Sequence, residues 1–246
     1  MLQVQPTATK RILIVDDDPD MIEVLTVNLQ RAGYRVDSAD SGARGIELAL
    51  VSSYDLLILD LKLPDVDGLQ VCKALRGGEQ RVPIMMLTSR KSEPQKIAGF
   101  ESGADDYMTK PFGMGELLVR VKALIRRAEM SAAPRTEQKR ILRIGGLVID
   151  LEKRNVSAEG RDVELTATEF DLLAFLAERP GRPFSREELL QHVWGYSYGG
   201  YENTVNVHIN RLRTKIEPEP SAPRYVLTVW GVGYRFAEQV ETGSED

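Results

Sequence analysis

Carboxylates follow two strand-like segments of the chain, ILIVDDD at residues 12–18 and LLILDLKLPD at residues 56–65. Both apolar runs are typical of parallel strands that are buried on both faces. Carboxylates just beyond such strands crowd like charges into one crevice, and a divalent cation offsets that repulsion. Mg²⁺ typically binds one or two carboxylates, several waters and a phosphoryl oxygen. The two segments therefore predict a magnesium site.

Not every aspartate in these segments belongs to that site. Asp18 precedes a proline at a helix start, where capping is its expected role. Asp65 and Asp67 follow a proline in a loop and at a second helix start, where turn or cap roles are expected. The candidates that remain are Asp16, Asp17 and Asp60.

The chain alternates strand and helix patterns five times through about residue 128. Alternation predicts a parallel sheet with helices on both faces, because short connections and right-handed crossovers permit little else. Ligands of such sheets bind at the carboxyl ends of the strands, near the reversal of strand order. The predicted strands are 11–16, 35–39, 55–60, 82–88 and 106–109, and the predicted helices are 19–32, 42–51, 67–77, 93–102 and 113–128.

Two further polar residues end predicted strands. Thr88 ends VPIMMLTS, and Lys110 ends DYMTK just before a proline. Together with the carboxylates they provide a nucleophile, a cation site and donors for the equatorial oxygens of a phosphoryl group. Each signal is weak alone, and the joint placement at four strand ends is what favours phosphoryl chemistry.

Residues 10–128 resemble the receiver domain of two-component response regulators, a flavodoxin-like doubly wound fold. The resemblance implies that Asp60 accepts a phosphoryl group from a sensor histidine kinase. It implies Mg²⁺ ligation by Asp16, Asp17, Asp60 and the backbone carbonyl of Lys62, with Asp16 acting mainly through water. Lys110 would pair with the phosphoryl oxygens, and Thr88 would move toward them and let Tyr107 rotate inward. The only enzymatic chemistry expected is self-phosphorylation and self-dephosphorylation.

Haloacid dehalogenase-like phosphatases are a rival reading, because they place two aspartates at alternate positions after a first strand, as Asp16 and Asp18 are placed. Membership of that family would give Asp60 no role. The family also expects a small polar residue, threonine or valine two positions after the second aspartate, where this chain has Asp20. Small-molecule phosphatase activity remains an alternative that turnover assays would test.

Length and composition predict two domains of ordinary size and no attachment to a membrane. The chain has 246 residues, is 42% hydrophobic and carries a net charge of −5. Its single cysteine, Cys72, excludes an internal disulfide and falls on the apolar face of a predicted helix. The first residues contain no apolar core and no run is long enough to span a bilayer, so we expect a cytoplasmic protein.

Residues 129–140 are polar and rich in small residues, which predicts a linker. A second domain is predicted at 141–238 and an acidic tail at 239–246. The second domain begins with short alternating runs that predict an antiparallel platform. Capping-box spacings, Thr166 with Glu169 and Ser185 with Glu188, then open two helices. A third helix is predicted at 203–216, followed by a hairpin around Gly231.

The third predicted helix has one apolar stripe and an opposite face without acids. Residues 129–246 contain 15 Lys+Arg and 19 Asp+Glu, so the domain lacks the basic bulk charge common in nucleic-acid binding. A face of Asn, Arg, Thr and Val nevertheless suits a major groove. The stripe contains Val205, Ile209, Leu212 and Ile216; the opposite face contains Asn203, Val207, Asn210, Arg211 and Thr214, with Arg213 and Lys215 on its flanks.

The segments NTVNVHINRLRTKIE and TVWGVGYRF resemble the recognition helix and wing of the winged-helix domain of the OmpR/PhoB subfamily. The chain departs from that subfamily at Asn203 and Asn206, where basic and acidic residues are frequent, and at Trp230, where many members carry an arginine that enters the minor groove. These departures leave sequence preference open. The implied DNA contacts are Thr204, Val207, Asn210, Arg211, Arg213, Lys215 and Trp230.

The resemblance also implies protein partners. A homodimer through the receiver would use exposed ion pairs among Lys96, Asp106, Glu116 and Arg120, and the tyrosine-rich loop 195–202 would contact RNA polymerase. The expected protein is a transcriptional regulator that binds directly repeated half-sites about one helical turn apart on double-stranded DNA. The alternative is a DNA-binding protein whose receiver dimerises without phosphorylation.

Overall fold

A computed structural model describes residues 9–78, 82–88, 103–132, 140–195 and 202–238. The chain forms two compact units that divide between Ile125 and Arg126. In the part of the chain that is described, no helix is both long and apolar enough to cross a membrane.

The first unit contains the predicted five-stranded parallel sheet, with strand order β2-β1-β3-β4-β5. All five residues of β3 and of β4 are buried, as expected for strands covered on both faces. The order reverses between β1 and β3, so a crevice opens there at the carboxyl ends of the strands. The strands are β1 (Arg11–Val15), β2 (Arg35–Ala39), β3 (Leu56–Asp60), β4 (Ile84–Thr88) and β5 (Asp106–Thr109).

Four helices that begin in the first unit lie within the described ranges. One apolar cluster of this unit includes Ile12, Leu25 and Leu124, and Cys72 is buried as predicted. The predicted helix 93–102 lies outside the described residues. The last of the four helices continues through Ala132, so the first residues of the predicted linker are helical. The helices are α1 (Pro19–Arg31), α2 (Gly42–Val51), α3 (Gly68–Gly77) and α4 (Met114–Ala132).

The second unit begins with the predicted antiparallel platform, a four-stranded sheet of order β6-β7-β8-β9. A second sheet, of order β10-β12-β11, contains the predicted hairpin and adds one short strand to it. The strands are β6 (Ile141–Ile144), β7 (Leu147–Asp150), β8 (Asn155–Ala158), β9 (Arg161–Val163), β10 (Phe184–Ser185), β11 (Val226–Val229) and β12 (Gly233–Phe236).

The helices of this unit begin where the capping boxes predict. Thr166 and Ser185 each accept a hydrogen bond from a backbone N–H in the first turn, and Glu169 and Glu188 bond back to the cap residues. The third helix buries its predicted stripe, because Val205, Ile209 and Leu212 join one apolar core with the platform. The helices are α5 (Ala167–Ala177), α6 (Arg186–Leu189), which continues as one π-helical turn at Leu190–Trp194, and α7 (Glu202–Ile216).

Candidate functional site

The three predicted carboxylates come together at the switch point of the first sheet. Asp16 and Asp17 follow β1, and Asp60 ends the adjacent strand β3. One ligand oxygen from each carboxylate lies within 4.8 Å of the others. Asp16 and Asp60 are buried, whereas Asp17 is exposed. A hard cation with oxygen ligands fits this donor set.

Lys110 connects two of these carboxylates from the end of β5. Its Nζ donates to Asp16 Oδ2 at 2.8 Å and to Asp60 Oδ2 at 2.6 Å. Burial raises the pKa of Asp16, and the hydrogen bond from Lys110 opposes that shift only in part. Burial also disfavours the charged Lys110, but the bonds to both carboxylates outweigh burial and raise its pKa. The ammonium group therefore stays charged and partly offsets the like charges around it.

Backbone donors orient the same carboxylates. Asp16 Oδ1 accepts from the N–H of Asp18 at 3.0 Å, and Asp60 Oδ1 accepts from the N–H of Lys62 at 3.1 Å. Each acidic group is thus held by the loop that follows its own strand. The Lys62 side chain is exposed.

The two other predicted switch residues are fully buried. Thr88 ends β4, next to β3 in the sheet, and Tyr107 lies on β5. The predicted movement of Thr88 and the predicted inward rotation of Tyr107 stay predictions.

The aspartates assigned to capping do cap helices. Asp18 Oδ1 accepts from the N–H groups of Asp20 and Met21 at the start of α1. Asp67 caps α3. Asp65 accepts from Gly42 and Ala43, both at 2.8 Å, and so caps α2 rather than its own segment.

The predicted dimer residues form a cluster within one receiver. Arg120 Nη1 donates to both carboxylate oxygens of Asp106 at 3.0 and 3.1 Å, and Arg120 Nη2 donates to Glu116 at 2.7 Å. Asp106 is 0% and Arg120 1% exposed, so the prediction that these pairs are exposed is wrong for both. Asp106 on β5 and Arg120 on α4 therefore form an ion pair within a single chain, without a second subunit. Lys96 lies outside the described residues.

The predicted DNA-facing side of α7 is only partly exposed. Asn210 is exposed, but Val207 and Thr204 are buried, so the prediction that Val207 lies on the open face is wrong. A helical period of 100° per residue places Val207 opposite the apolar stripe. Periodicity does not show which residues other parts of the protein cover, and Val207 is one of these. Trp230, in the turn between β11 and β12, is 91% exposed.

The basic residues of α7 have partners within the second unit. Arg211 and Lys215 contact the two carboxylate oxygens of Glu169 at 2.8 and 2.7 Å, and Glu169 is fully buried. Arg213 donates to the carbonyl of Val226 on β11 at 2.7 Å. The sequence did not single out Glu169 for this role, although its capping-box spacing had placed it at a helix start.

Comparisons with known proteins assign both halves of the chain. Residues 12–122 match the family of response regulator receiver domains, and residues 160–236 match the family described as transcriptional regulatory protein, C terminal. The transcriptional regulatory protein ResD of Bacillus subtilis is 41% identical over 242 residues, 97% of this chain and 99% of its own. The transcriptional regulator RpaA of a Synechocystis strain is 44% identical over 95% of this chain and 97% of its own.

The same two-part architecture is present in a solved structure. A mutant of RitR aligns with 93% of this chain and 99% of its own, at a TM-score of 0.70 and 30% identity. Sequence families, full-length relatives and fold agree over nearly the whole length of the chain. This chain therefore belongs to the response regulators of two-component systems, in the OmpR/PhoB subfamily that joins a receiver to a winged-helix DNA-binding domain and regulates transcription.

Proposed function

We propose that a sensor histidine kinase phosphorylates Asp60, and that the added charge promotes receiver dimerisation and promoter binding. The supporting observation is the cluster of Asp16, Asp17 and Asp60 within 4.8 Å, with Lys110 bonded to two of its members. An oxygen of Asp60 attacks the phosphorus of phosphohistidine, the P–N bond breaks as the P–O bond forms, and the imidazole nitrogen takes a proton. This transfer, and the later hydrolysis, are the only covalent steps proposed for the protein.

The donor set of this cluster fits Mg²⁺. Asp16, Asp17, Asp60 and the Lys62 carbonyl would hold the ion, with Asp16 acting mainly through water. Bound Mg²⁺ would neutralise charge on the transferring phosphoryl oxygens. Asp60 would be both a ligand of the ion and the nucleophile, so the ion and the reacting oxygen would lie in one crevice.

Lys110, Thr88 and Tyr107 are proposed to report the phosphorylation. The Lys110 ammonium already lies 2.6 Å from Asp60, so it can pair with a phosphoryl oxygen after a small movement. Thr88 lies on the neighbouring strand and would donate its hydroxyl to the same group. A new dianionic group at Asp60 thereby changes the packing around Tyr107 on β5.

Dimerisation and DNA binding are proposed to follow from that change. Asp106, Glu116 and Arg120 would exchange their partners within one receiver for those of a second receiver, and Lys96 would take part in the new contacts. An exposed ion pair across such an interface contributes about 0–1 kcal/mol, whereas the buried pair of Arg120 and Asp106 costs more to open, so the exchange would define geometry more than affinity. Dimers would place α7 and Trp230 on repeated half-sites, and the loop 195–202, of which 196–201 lie outside the described residues, would contact RNA polymerase. We propose a cytoplasmic location for these events.

The phosphoacceptor assignment is tested by electrophoresis that retards phosphorylated protein. With a small-molecule phosphodonor and Mg²⁺, the wild type should give a retarded band and Asp60→Ala should give none. Removal of Mg²⁺ by chelation should abolish the band in the wild type. A retarded band that persists in Asp60→Ala would refute the assignment.

A further inference from the structure

Asn206 connects three elements of the winged-helix unit through one neutral side chain. Its Oδ1 accepts from Arg186 Nε of α6 at 2.8 Å and from the Tyr234 hydroxyl of β12 at 2.9 Å. Its Nδ2 donates to Oδ1 of Asn203, one turn earlier on α7, at 3.1 Å. Asn206 therefore fixes α6, the first turn of α7 and the wing strand relative to one another.

Arg186 is held in this arrangement without being neutralised. Its contacts are the amide oxygen of Asn206 and the ring of Tyr234, whose centroid lies 5.3 Å from the guanidinium carbon. Within the described ranges, no carboxylate lies within ion-pair distance of Arg186. An amide oxygen accepts a hydrogen bond from a guanidinium group but carries no charge that cancels it.

Two other basic side chains of the winged-helix unit are paired with a carboxylate. Arg211 and Lys215 share the buried carboxylate of Glu169, so part of their charge is cancelled inside the unit. Arg186 is partly exposed at the start of α6, next to the first turn of α7. A guanidinium that is oriented on one side and open on the other can pair with a phosphate and lose little side-chain entropy.

We propose that Asn206 is a positioning residue for DNA binding, which presents the uncancelled charge of Arg186 to a phosphate of the DNA backbone. The inference rests on the proposed DNA-binding role of α7 and adds a contact of Arg186, next to that helix, with the phosphate backbone of the DNA. An aspartate at position 206 has nearly the same shape and can accept the same two bonds. It would convert the contact with Arg186 into an ion pair and thereby remove a charge available to DNA.

The test is the salt dependence of binding by the full chain carrying Asn206→Asp. The probe is a DNA duplex that the wild type has selected from a random pool. Each phosphate contact contributes a slope of about −0.9 to log affinity against log salt, so the variant should be shallower by about 0.9 for each protein copy bound. Between about 50 and 200 mM salt, the variant should lose about 3.5-fold less affinity than the wild type for each protein copy bound. A thermal melt of the free protein should show no destabilisation.

Arg186→Gln provides the matched control and a second route if Asn206→Asp folds poorly. It should show the same loss of slope, and Asn206→Asp should have no further effect on slope in the Arg186→Gln background. A wild-type slope in either single variant would overturn the inference. So would a further equal loss in the double variant, because that would indicate general repulsion by the new charge. Failure of the wild type to select any duplex would instead overturn the DNA-binding role, and the inference with it.

Discussion

Gly68 lies directly against the backbone of Asp60, the proposed phosphoacceptor. A Cβ atom added to Gly68 would lie 2.3 Å from the carbonyl oxygen of Asp60 and 2.9 Å from Cα of Leu61. Backbone atoms cannot rotate away from such a clash as the end of a side chain can. The absence of a side chain at Gly68 is therefore what allows α3 to begin so close to the end of β3.

We expect Gly68→Ala to destabilise the receiver by about 1–3 kcal/mol and to slow phosphorylation, because the β3–α3 loop must shift to admit the methyl group. Thermal unfolding and the rate of band retardation with a small phosphodonor measure the two effects. Gly77→Ala, at the other end of α3 with open space around it, is the control and should be neutral or slightly stabilising. Equal behaviour of the two variants would contradict this account of the loop.

Glu169 joins two helices of the winged-helix unit. On α5 it completes the capping box by accepting from the N–H of Thr166, and across the core it pairs with Arg211 and Lys215 of α7. Burial alone would raise the pKa of Glu169, but the two cations and the hydrogen bonds outweigh burial and hold the pKa below its usual range. The carboxylate is thus charged in the folded unit and orients the helix proposed to read DNA.

Glu169→Gln should lower the free energy of unfolding by about 3 kcal/mol at neutral pH, because it leaves two cations without their buried partner. A folded pKa below the unfolded value means that this contribution is complete above the unfolded pKa of about 4.3 and is lost as pH falls through the folded pKa. The difference from wild type should therefore shrink in acid, as measured by denaturant unfolding across pH.

Glu188→Gln is the control for this change. Glu188 occupies the same capping-box position at the start of α6, but its side chain is 44% exposed and its contact with Arg182 is 3.6 Å. Loss of its charge should cost about 0–1 kcal/mol. Equal losses in the two variants at every pH would show that capping alone explains the role of Glu169.

At the scale of the whole molecule, the proposed mechanism requires a local charge change at Asp60 to alter assembly. The C-terminal half has no excess of basic residues, so a single copy of the DNA-binding unit has limited electrostatic attraction to DNA. Two copies on adjacent half-sites bind far more tightly than one, because the second binding event is intramolecular. Control of dimerisation is therefore an effective way to control promoter occupancy.

We expect beryllofluoride with Mg²⁺, which mimics the phosphoryl group, to double the molar mass measured by light scattering and to increase DNA affinity. Asp60→Ala should show neither effect, because it lacks the carboxylate that binds the mimic. A wild type that is already dimeric, with the same DNA affinity whether or not beryllofluoride is present, would support the alternative of phosphorylation-independent dimerisation.

Local sequence signals were sufficient for several structural features. Capping boxes at Thr166 and Ser185, the cap at Asp18 and the burial of Cys72 each depend on short-range backbone geometry or periodicity. Long-range contacts were not predictable in this way. Asp65 caps a helix that begins twenty-three residues earlier in the chain, a pairing that no local pattern encodes.

The sequence by itself determined the order of elements, the two-domain organisation and the identity of the acidic site, because strand ends in a parallel sheet necessarily meet at one edge. Only the tertiary structure decided which charges are already satisfied. Arg120 pairs with Asp106 inside one receiver, and Arg211 pairs with a buried glutamate. Among the residues that the structure describes, Arg186 contacts a neutral amide and a tyrosine ring but no carboxylate. Charge pairing depends on distances of a few ångströms between elements far apart in the chain, and periodicity does not contain that information.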